Sequence, residues 1–216
     1  MNTTSTEAQP PVKLKPHFRL TRNIRYTLEA LLAIAIGVGL STIIATVVIV
    51  AHASQMMTVQ NGWYAFLTYP EDASLLDRAA IAYIQPAANT PEEAVYLQTT
   101  SDAQQQTLNG ANTYVLHFAP DSLPPNDAFW SLTITDTRGR MVANSIDRNS
   151  LNSYSEFAVN ADGSVDFYIQ SSAPAEHQSN WLPAPEGDFK LWLRIYQPSE
   201  SVLCGEWRVP PVQEVN

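Results

Sequence analysis

Three patterns of hydrophobic and polar residues follow one another along the chain, and the first is a long apolar run. Residues 30–51 are 22 consecutive positions without a charged side chain. Because a helix rises about 1.5 Å per residue, this run can cross the roughly 30 Å hydrocarbon core of a membrane. Five basic residues precede it, and none lies in the following segment 52–62. The positive-inside rule therefore predicts a transmembrane helix over 27–52, with the N-terminus in the cytoplasm and the C-terminal part periplasmic or otherwise extracytoplasmic.

The same apolar run has a second interpretation, a cleaved signal peptide. Residues 51–53 (Ala-His-Ala) fit the small-x-small pattern of a cleavage site after Ala53. The apolar region of a signal sequence is about 7–15 residues long, which is shorter than this run. We therefore expect a retained anchor in the cytoplasmic (inner) membrane, with cleavage as the alternative.

Small residues recur at every fourth position inside the apolar run. They are Ala33, Gly37, Ser41 and Ala45. Residues four apart share one face of a helix, so a second helix could approach this stripe closely. The stripe is consistent with self-association or a protein partner in the membrane, although small residues are common in membrane helices in any case.

The second pattern is a short segment with helical periodicity. Apolar residues recur at i, i+3 and i+4 between Leu75 and Tyr83, which is typical of an amphipathic helix. We predict that the acidic pair at 71–72 opens this helix, because negative charge stabilises a helix N-terminus. Pro86 and Pro91 are expected to end it.

The third pattern, from residue 94 onward, is alternation with a period of two, interrupted by turn residues. It is clearest in Phe189–Tyr196, where Phe, Leu, Leu and Ile alternate with Lys, Trp, Arg and Tyr. Short alternating segments between Gly, Pro, Asn and Asp predict strands joined by turns. The predicted strands are 94–97, 112–118, 128–135, 140–143, 155–159, 164–170, 189–196 and 203–209.

These patterns predict a mainly β protein. Several short strands at regular intervals favour an antiparallel sandwich or jelly-roll-like domain, here preceded by a short amphipathic helix and one N-terminal transmembrane helix. The expected parts are a basic, largely disordered cytoplasmic tail (1–26), the transmembrane helix (27–52), a linker with the short helix (53–92) and the β-sandwich domain (93–216).

Charge and cysteine content exclude two kinds of protein. The 216 residues carry a net charge of −9, and residues 52–216 contain seven basic and 19 acidic side chains. Nucleic acids are bound mainly through clustered Lys and Arg, so no nucleic-acid partner is expected. Cys204 is the only cysteine, which excludes an intramolecular disulfide. We expect it to be a small buried residue at the start of a strand.

Familiar catalytic and metal-binding motifs do not occur in the sequence. There is no Gly-x-Ser-x-Gly elbow, no His-Glu-x-x-His, no cysteine pair and no glycine-rich phosphate loop. We therefore assign no catalytic residue, no metal ligand and no cofactor. Two carboxylate pairs, Asp162 with Asp166 and Asp127 with Asp136, keep one enzymatic alternative open, because glycosidic cleavage requires two carboxyl groups at a set distance.

Aromatic residues of the β region are the best candidates for ligand binding. All five tryptophans follow the apolar run, and Trp130 and Trp181 lie beside proline-containing turns. Exposed Trp and Tyr near polar groups suit sugar rings or apolar ligands, whereas buried rings fill a core. Arg148 could orient a carboxylate ligand or pair with Asp147 or Glu156, and we favour the ion pair. The ligand-binding candidates are Trp130, Arg148, Tyr168, Asn180 and Trp181.

Three stretches of this region carry a resemblance to a known family. They are residues 123–133 (LPPNDAFWSLT), residues 160–170 (NADGSVDFYIQ) and residues 180–207, which include NWLPAP, LRIYQP and GEW. In this order they resemble the bacterial family called domain of unknown function 1214, from about Glu93 to the C-terminus. The resemblance implies a jelly-roll-like β domain that follows a membrane segment or a larger β domain, and it implies no particular activity.

The chain departs from that family at one position. The family tends to have an Asn-x-x-x-Arg-Tyr-Ser segment, which residues 144–150 match except that Asn149 replaces the aromatic residue. If an aromatic side chain lines a pocket there, the pocket of this protein is altered.

We therefore expect a single-pass envelope protein whose extracytoplasmic β domain binds a ligand or a protein partner without catalysing a reaction. A small molecule or a glycan is the expected type of ligand. The alternatives are an envelope enzyme that acts on a carbohydrate or related polymer, and an accessory subunit of a membrane complex. Two facing carboxyl groups with raised pKa values would favour the enzyme, and a fully packed face would favour the binding module.

Overall fold

The computed structural model describes residues 17–65, 73–85 and 89–215. The chain forms two compact units, Met1–Val48 and Ile49–Asn216. Its helices and strands, in chain order, are α1 (His17–Met56), β1 (Thr58–Gln60), β2 (Trp63–Ala65), α2 (Leu75–Ile84), β3 (Ala94–Thr99), β4 (Thr113–Phe118), β5 (Asn126–Asp136), β6 (Ser150–Asn152), β7 (Val165–Gln170), β8 (Trp181–Pro183), β9 (Phe189–Pro198), α3 (Glu200–Leu203) and β10 (Val212–Val215).

Helix α1 contains the long apolar run. The segment Arg22–Met56 is long and apolar enough to cross a membrane, and signal sequences near an N-terminus share these properties. The helix begins at His17, ten residues before the predicted membrane segment. This extension contains neither Pro nor Gly, and Arg25 pairs with Glu29 one turn later, at 2.8 Å, which favours continued helix. Residues 1–16 of the predicted tail lie outside the described residues.

Six strands form an antiparallel sheet in the order β1-β2-β3-β9-β5-β6. Strand β9 lies inside it and pairs with β3 on one side and β5 on the other. Its alternation is the predicted one, because Phe189, Leu191, Leu193 and Ile195 are fully buried. Strands β1 and β2 come from the segment predicted to be a linker, and β2 joins the sheet through Tyr64, which pairs with Gln98.

The remaining four strands form a mixed sheet in the order β10-β4-β7-β8. Strands β10, β4 and β7 pair antiparallel, whereas β7 and β8 are parallel, with Tyr168 opposite Trp181. Parallel strands need a longer connection than a hairpin, which residues 171–180 provide.

Both sheets contribute side chains to one hydrophobic core. Edge-to-face aromatic contacts join them: Tyr114 of β4 lies 5.8 Å from Phe189 of β9, and Trp130 of β5 lies 5.8 Å from Phe167 of β7. Such contacts add about 0.5–1.5 kcal/mol each to the stabilisation from burial.

Helix α2 confirms the predicted amphipathic helix, but a different residue caps it. The Ser74 hydroxyl accepts a hydrogen bond from the Asp77 N–H, and the Asp77 carboxylate accepts one from the Ser74 N–H. This capping box satisfies two of the four free N–H groups of the first turn. The predicted acidic pair at 71–72 lies outside the described residues.

Three predicted strands were wrong. In each of these segments the backbone has another conformation and other hydrogen-bond partners. Residues 140–143 are irregular, because Arg140 closes a turn onto Asp136 through backbone and side-chain bonds. Residues 155–159 are irregular too, and the N–H and C=O of Ala158 bond to the side chain of Asn180. Residues 203–209 follow α3, and the last strand is Val212–Val215.

Cys204 is also placed differently from the prediction. It lies at the C-terminal end of α3, where its N–H donates to the Glu200 carbonyl at 2.9 Å, and its side chain is exposed. The expectation of a buried residue at a strand start is therefore wrong. Gly205 follows with a φ of +79°, a conformation that favours glycine and ends the helix.

Candidate functional site

The two candidate tryptophans lie in the interior of the β unit. Trp130 is 3% exposed, and its ring packs beside Phe157 and Phe167. Trp181 is 5% exposed, and its indole N–H donates to the Gln170 carbonyl at 2.8 Å. A buried indole usually needs such a hydrogen-bond partner. Both rings therefore contribute to packing in this structure and present no open face to a ligand.

Asn180 and Tyr168 flank Trp181. The buried Asn180 amide donates to the carbonyls of Ala158 and Asp166 at 2.8 and 2.9 Å, and its oxygen accepts from the Ala158 N–H at 2.7 Å. Asn180 thus joins an irregular segment to β7. Tyr168 is half-buried and stacks on the His177 ring at 6.3 Å, and burial raises the pKa of its hydroxyl.

Arg148 contacts backbone oxygens instead of a carboxylate. Its Nη1 donates to the carbonyls of Gln178 and Trp181 at 2.8 and 3.0 Å, and to that of Ser179 at 3.4 Å. Within the described residues, no carboxylate lies within 4 Å of it, so the favoured ion pair with Asp147 or Glu156 is not formed. Arg148 ties the 144–149 loop to the start of β8.

The Asn144 side chain stabilises the same loop through hydrogen bonds to the loop backbone. Its side-chain oxygen accepts from the Arg148 N–H at 3.0 Å and the Ile146 N–H at 3.3 Å, while its amide donates to the Arg148 carbonyl at 2.9 Å. Asparagine commonly closes turns in this way. Asn144 and Arg148, the two residues that match the family-like segment, therefore give the loop its shape.

This loop forms one wall of a groove of about 510 Å³. Ligand sites commonly have volumes of about 300–1,000 Å³. The end of β5 also lines the groove, and residues 183–186, from the last residue of β8 onward, form its other wall. The groove is lined by apolar side chains (Ile134, Val142, Ala143, Pro183, Ala184 and Pro185), uncharged polar ones (Thr135, Asn144, Ser145, Asn149 and Ser171) and the acidic Asp136 and Glu186.

Asn149 is the groove residue that the sequence already singled out. It lies on the wall at the position where the family tends to have an aromatic side chain. In this chain the position presents an amide side chain to the groove. The sequence did not predict that residues 183–186 line the groove. The three residues of β8 are all buried, so they show no alternating pattern that would identify a strand there.

One member of each candidate carboxylate pair has a lowered pKa. The Asp162 carboxylate accepts hydrogen bonds from the hydroxyl and N–H of Ser164, and these bonds lower its pKa. Hydrogen bonds from Arg140 lower the pKa of Asp136. A general acid needs a raised pKa. In the part of the chain that the structure describes, no group of three or more His, Cys, Asp or Glu side chains could hold a metal ion.

A comparison with protein families identifies the β region. The family described as "Protein of unknown function (DUF1214)" matches residues 93–200, half of the chain. The chain belongs to the DUF1214 family. The DUF1214 region runs from the residue before β3 to the first residue of α3, and it includes every residue that lines the groove.

Two solved structures are similar to the chain. The VPA0106 protein from Vibrio parahaemolyticus has 24% sequence identity and a TM-score of 0.63, over 78% of this chain and 42% of that one. An uncharacterised protein from Burkholderia cenocepacia has 17% identity and a TM-score of 0.43, over 68% of this chain and 46% of that one. The chain thus spans less than half the length of either protein. The first likeness supports a common fold only. No curated protein matches this chain.

Proposed function

We propose that this DUF1214 protein is a membrane-anchored binding module whose groove holds a small, uncharged ligand with hydrogen-bonding groups. The observation that carries the proposal is the groove itself, whose wall is pre-shaped by Asn144 and Arg148. Pre-shaped walls favour binding, because little conformational entropy is lost when a ligand enters. The apolar lining suits a ring or carbon skeleton, and the amide and hydroxyl groups suit its polar substituents.

A ligand screen on the full-length protein in detergent tests the groove. Probes are uncharged monosaccharides and disaccharides, free amino acids and small carboxylates. A ligand at 100 times its Kd stabilises the folded state by about 2.7 kcal/mol, which raises the Tm by roughly 5–10 °C for a chain of this size. We expect an uncharged probe to do so.

Asn149→Tyr is the decisive variant. It places an aromatic ring on the groove wall, and we expect it to abolish the thermal shift while leaving the Tm of the free protein nearly unchanged. Gln104→Tyr, at an exposed position outside the groove, is the matched control and should keep the shift. A shift that survives Asn149→Tyr would place the ligand elsewhere.

We also propose that residues 27–52 anchor the protein in the cytoplasmic membrane, after a cytoplasmic tail of residues 1–26. Residues 53–216 would then lie outside, first as a linker with α2 and then as the β domain of residues 93–216. Support comes from an exposed apolar helix preceded by basic residues. Deletion of residues 27–52 should release the protein from the membrane fraction at alkaline pH. Retention of the deleted form in that fraction would contradict the anchor.

The arrangement of the two sheets is inferred as a sandwich of the jelly-roll type. Their shared core and the aromatic contacts between β4 and β9 and between β5 and β7 support face-to-face packing. Distances between spin labels on β4 and β9 of the full chain would test the packing directly. Sheets that meet only along an edge would contradict it.

The small-residue stripe is proposed as a helix-packing face. Ala33, Gly37, Ser41 and Ala45 are exposed on α1, and a Cβ added at Gly37 would meet no atom within 4 Å. The backbone of a second helix could therefore approach closely. Gly37→Ile should reduce cross-linking of the full chain in membranes, whereas Gly39→Ile, off the stripe, should not. Equal cross-linking in both variants would argue against the stripe.

A further inference from the structure

One face of the six-stranded sheet carries a row of aromatic rings that does not belong to the core. On β3, β9 and β5, the residues that alternate with the buried ones point away from the second sheet. Phe129 stacks on Tyr196 with ring centres 4.3 Å apart, Tyr154 lies 5.9 Å from Phe129, and Tyr96 meets Tyr196 edge-on at 6.5 Å. We name the outer-face cluster by its residues: Tyr96, Phe129, Tyr154, Lys190, Trp192, Arg194 and Tyr196.

Two cations lie beside Trp192, which is on the same outward face of β9 as Tyr196. Lys190 Nζ and the Arg194 guanidinium are 5.4 and 5.5 Å from the centre of the Trp192 ring. Arg194 also donates to the Thr133 hydroxyl at 3.1 Å. Among the described residues, no carboxylate lies within 4 Å of either cation. Residues 52–216 have 19 acidic and only seven basic side chains, so two cations beside one tryptophan ring are a local concentration of positive charge that favours an anionic ligand.

The rings are partly open to solvent and mostly amphipathic. Tyr154 is 76% exposed, and Tyr96, Phe129 and Tyr196 are partly exposed. Three of the four rings in the row carry a hydroxyl group, and burial raises the pKa of the Tyr96 hydroxyl. Tyr96 donates to the Asn89 side chain at 2.9 Å.

Few aliphatic side chains accompany these rings. The outward residues of β9 are Lys190, Trp192, Arg194 and Tyr196, and those of β5 include Phe129, Ser131, Thr133 and Thr135. The outward residues of β3, β9 and β5 thus combine rings, hydroxyl groups and cations, and they include no Leu, Ile or Val. This surface suits a hydroxyl-rich ligand that has apolar ring faces.

We propose that the outer-face cluster binds an extended polysaccharide that bears carboxylate groups. The apolar faces of its sugar rings contact the row of aromatic side chains. Its carboxylates approach Arg194, which is the strand partner of Tyr96 and offers a planar pair of donors, and reach Lys190 farther along β9. The row crosses three strands at about 4.8 Å spacing, so several sugar units can lie along it. This site is separate from the groove and does not depend on the function proposed for it.

Binding of polygalacturonate to the full-length protein in neutral detergent tests this proposal. The matched probes are fully methyl-esterified polygalacturonate, which has the same rings without charge, and poly-L-glutamate, which has the charge without rings. We expect polygalacturonate to bind and the esterified polymer to bind about tenfold more weakly. We also expect the affinity for polygalacturonate to fall as salt is raised from 20 to 300 mM, because exposed charges are screened.

Two exposed substitutions locate the site. Tyr154→Ala should raise the Kd for polygalacturonate about tenfold, as the loss of an exposed aromatic anchor does, and Lys190→Gln should raise it severalfold. Tyr83→Ala and Arg138→Gln remove an exposed tyrosine and an exposed arginine elsewhere, and they should leave the Kd unchanged.

Three results would overturn the proposal. The first is no binding of polygalacturonate by the folded protein. The second is binding that Tyr154→Ala and Lys190→Gln leave unaltered. The third is equal binding of poly-L-glutamate with the same loss in both variants, which would identify the face as a surface for an acidic protein segment.

Discussion

At the scale of single residues, Arg148 and Asn144 show how polar side chains can shape a site by hydrogen bonding to the backbone around it. Arg148 directs one guanidinium nitrogen, Nη1, at the carbonyl oxygens of Gln178, Ser179 and Trp181. Asn144 closes its own loop with both ends of the amide. We regard both as positioning residues, because they shape the groove wall that Asn149 lines.

Replacing Arg148 by Ala is expected to destabilise this wall. The carbonyl oxygens of Gln178, Ser179 and Trp181 lose this donor, at a cost of about 1–3 kcal/mol, or roughly 3–9 °C in Tm for a chain of this size. Thermal unfolding of the full-length protein in detergent measures the loss. Arg138→Ala, at an exposed turn position, should change the Tm by much less. Equal Tm shifts in Arg148→Ala and Arg138→Ala would mean that Arg148 contributes only its charge and not its hydrogen bonds.

Asp77 makes the stability of α2 depend on pH. Its carboxylate accepts hydrogen bonds from His52, at 2.6 Å, and from Ser74, and these bonds lower its pKa from 3.8 to about 2. Because the pKa is lower in the folded state, ionised Asp77 stabilises that state above about pH 4, and the contribution disappears as the pH falls towards 2. The Tm difference between wild type and Asp77→Asn should therefore be largest above pH 4.

The Tm difference between wild type and Asp77→Asn should disappear as the pH approaches 2. Asp147→Asn, at an exposed position, serves as the control for a general charge effect. A gap between wild type and Asp77→Asn that keeps its size from pH 6 to pH 2 would contradict this role of the ionised carboxylate.

At the scale of secondary-structure elements, the three-residue strand β8 decides where the groove lies. It pairs parallel to β7 and leads directly into residues 183–186. The loop at Gly110 supports this segment, since the Gly110 N–H donates to the Gly187 carbonyl at 2.9 Å. A Cβ at residue 110 would overlap with the carbonyl group of Pro185, so only glycine fits there without a shift of the groove wall.

Gly110→Ala should therefore cost more stability than an ordinary loop substitution. Overpacking against backbone costs about 1–3 kcal/mol and sometimes more, and it should also weaken the thermal shift produced by a groove ligand. Gly139→Ala is the control, because a Cβ there meets open space although φ is +80°. It should lose about 1–2 kcal/mol from backbone strain alone and keep the response to ligand. Loss of the response in both variants would contradict a local effect at Pro185.

The elements also differ in how far the sequence predicts them. Strand β9 was predictable, because ten residues of alternating character lie in the middle of a sheet. Residues 140–143 and 155–159 have a similar local pattern but form no strand, since Asp136 and Asn180 satisfy their backbone groups. Strands β1, β2, β6 and β8 are three residues long, which is too short for periodicity to distinguish them from loops.

At the scale of the whole molecule, the single cysteine provides a test of membrane topology. Cys204 is exposed in the β-rich unit. If that unit is extracytoplasmic, a membrane-impermeant maleimide should label Cys204 in intact bacteria whose outer membrane has been permeabilised. A Cys204→Ser protein with Ser5→Cys should be labelled only after the cytoplasmic membrane is lysed. The reverse pattern would contradict the proposed orientation.

The long apolar helix, the β-rich character of the second unit and membership of the DUF1214 family could all be predicted from the amino-acid sequence. These properties depend on local periodicity, composition and motif order, which a linear chain displays directly. The sequence also identified Asn149 as the position where this chain differs from the family pattern. Its acidic composition did not show that two cations share one face of the sheet.

The tertiary structure decided which of the candidate residues are accessible and what they contact. Trp130 and Trp181 are core residues, whereas Phe129 and Tyr196, not among the predicted candidates, lie on the open face of the sheet. Arg148 binds carbonyls 30 to 33 positions away instead of a nearby acid. Burial and long-range hydrogen bonding depend on how the two sheets pack and which strands pair, and these contacts join residues whose separation along the chain carries no local signal.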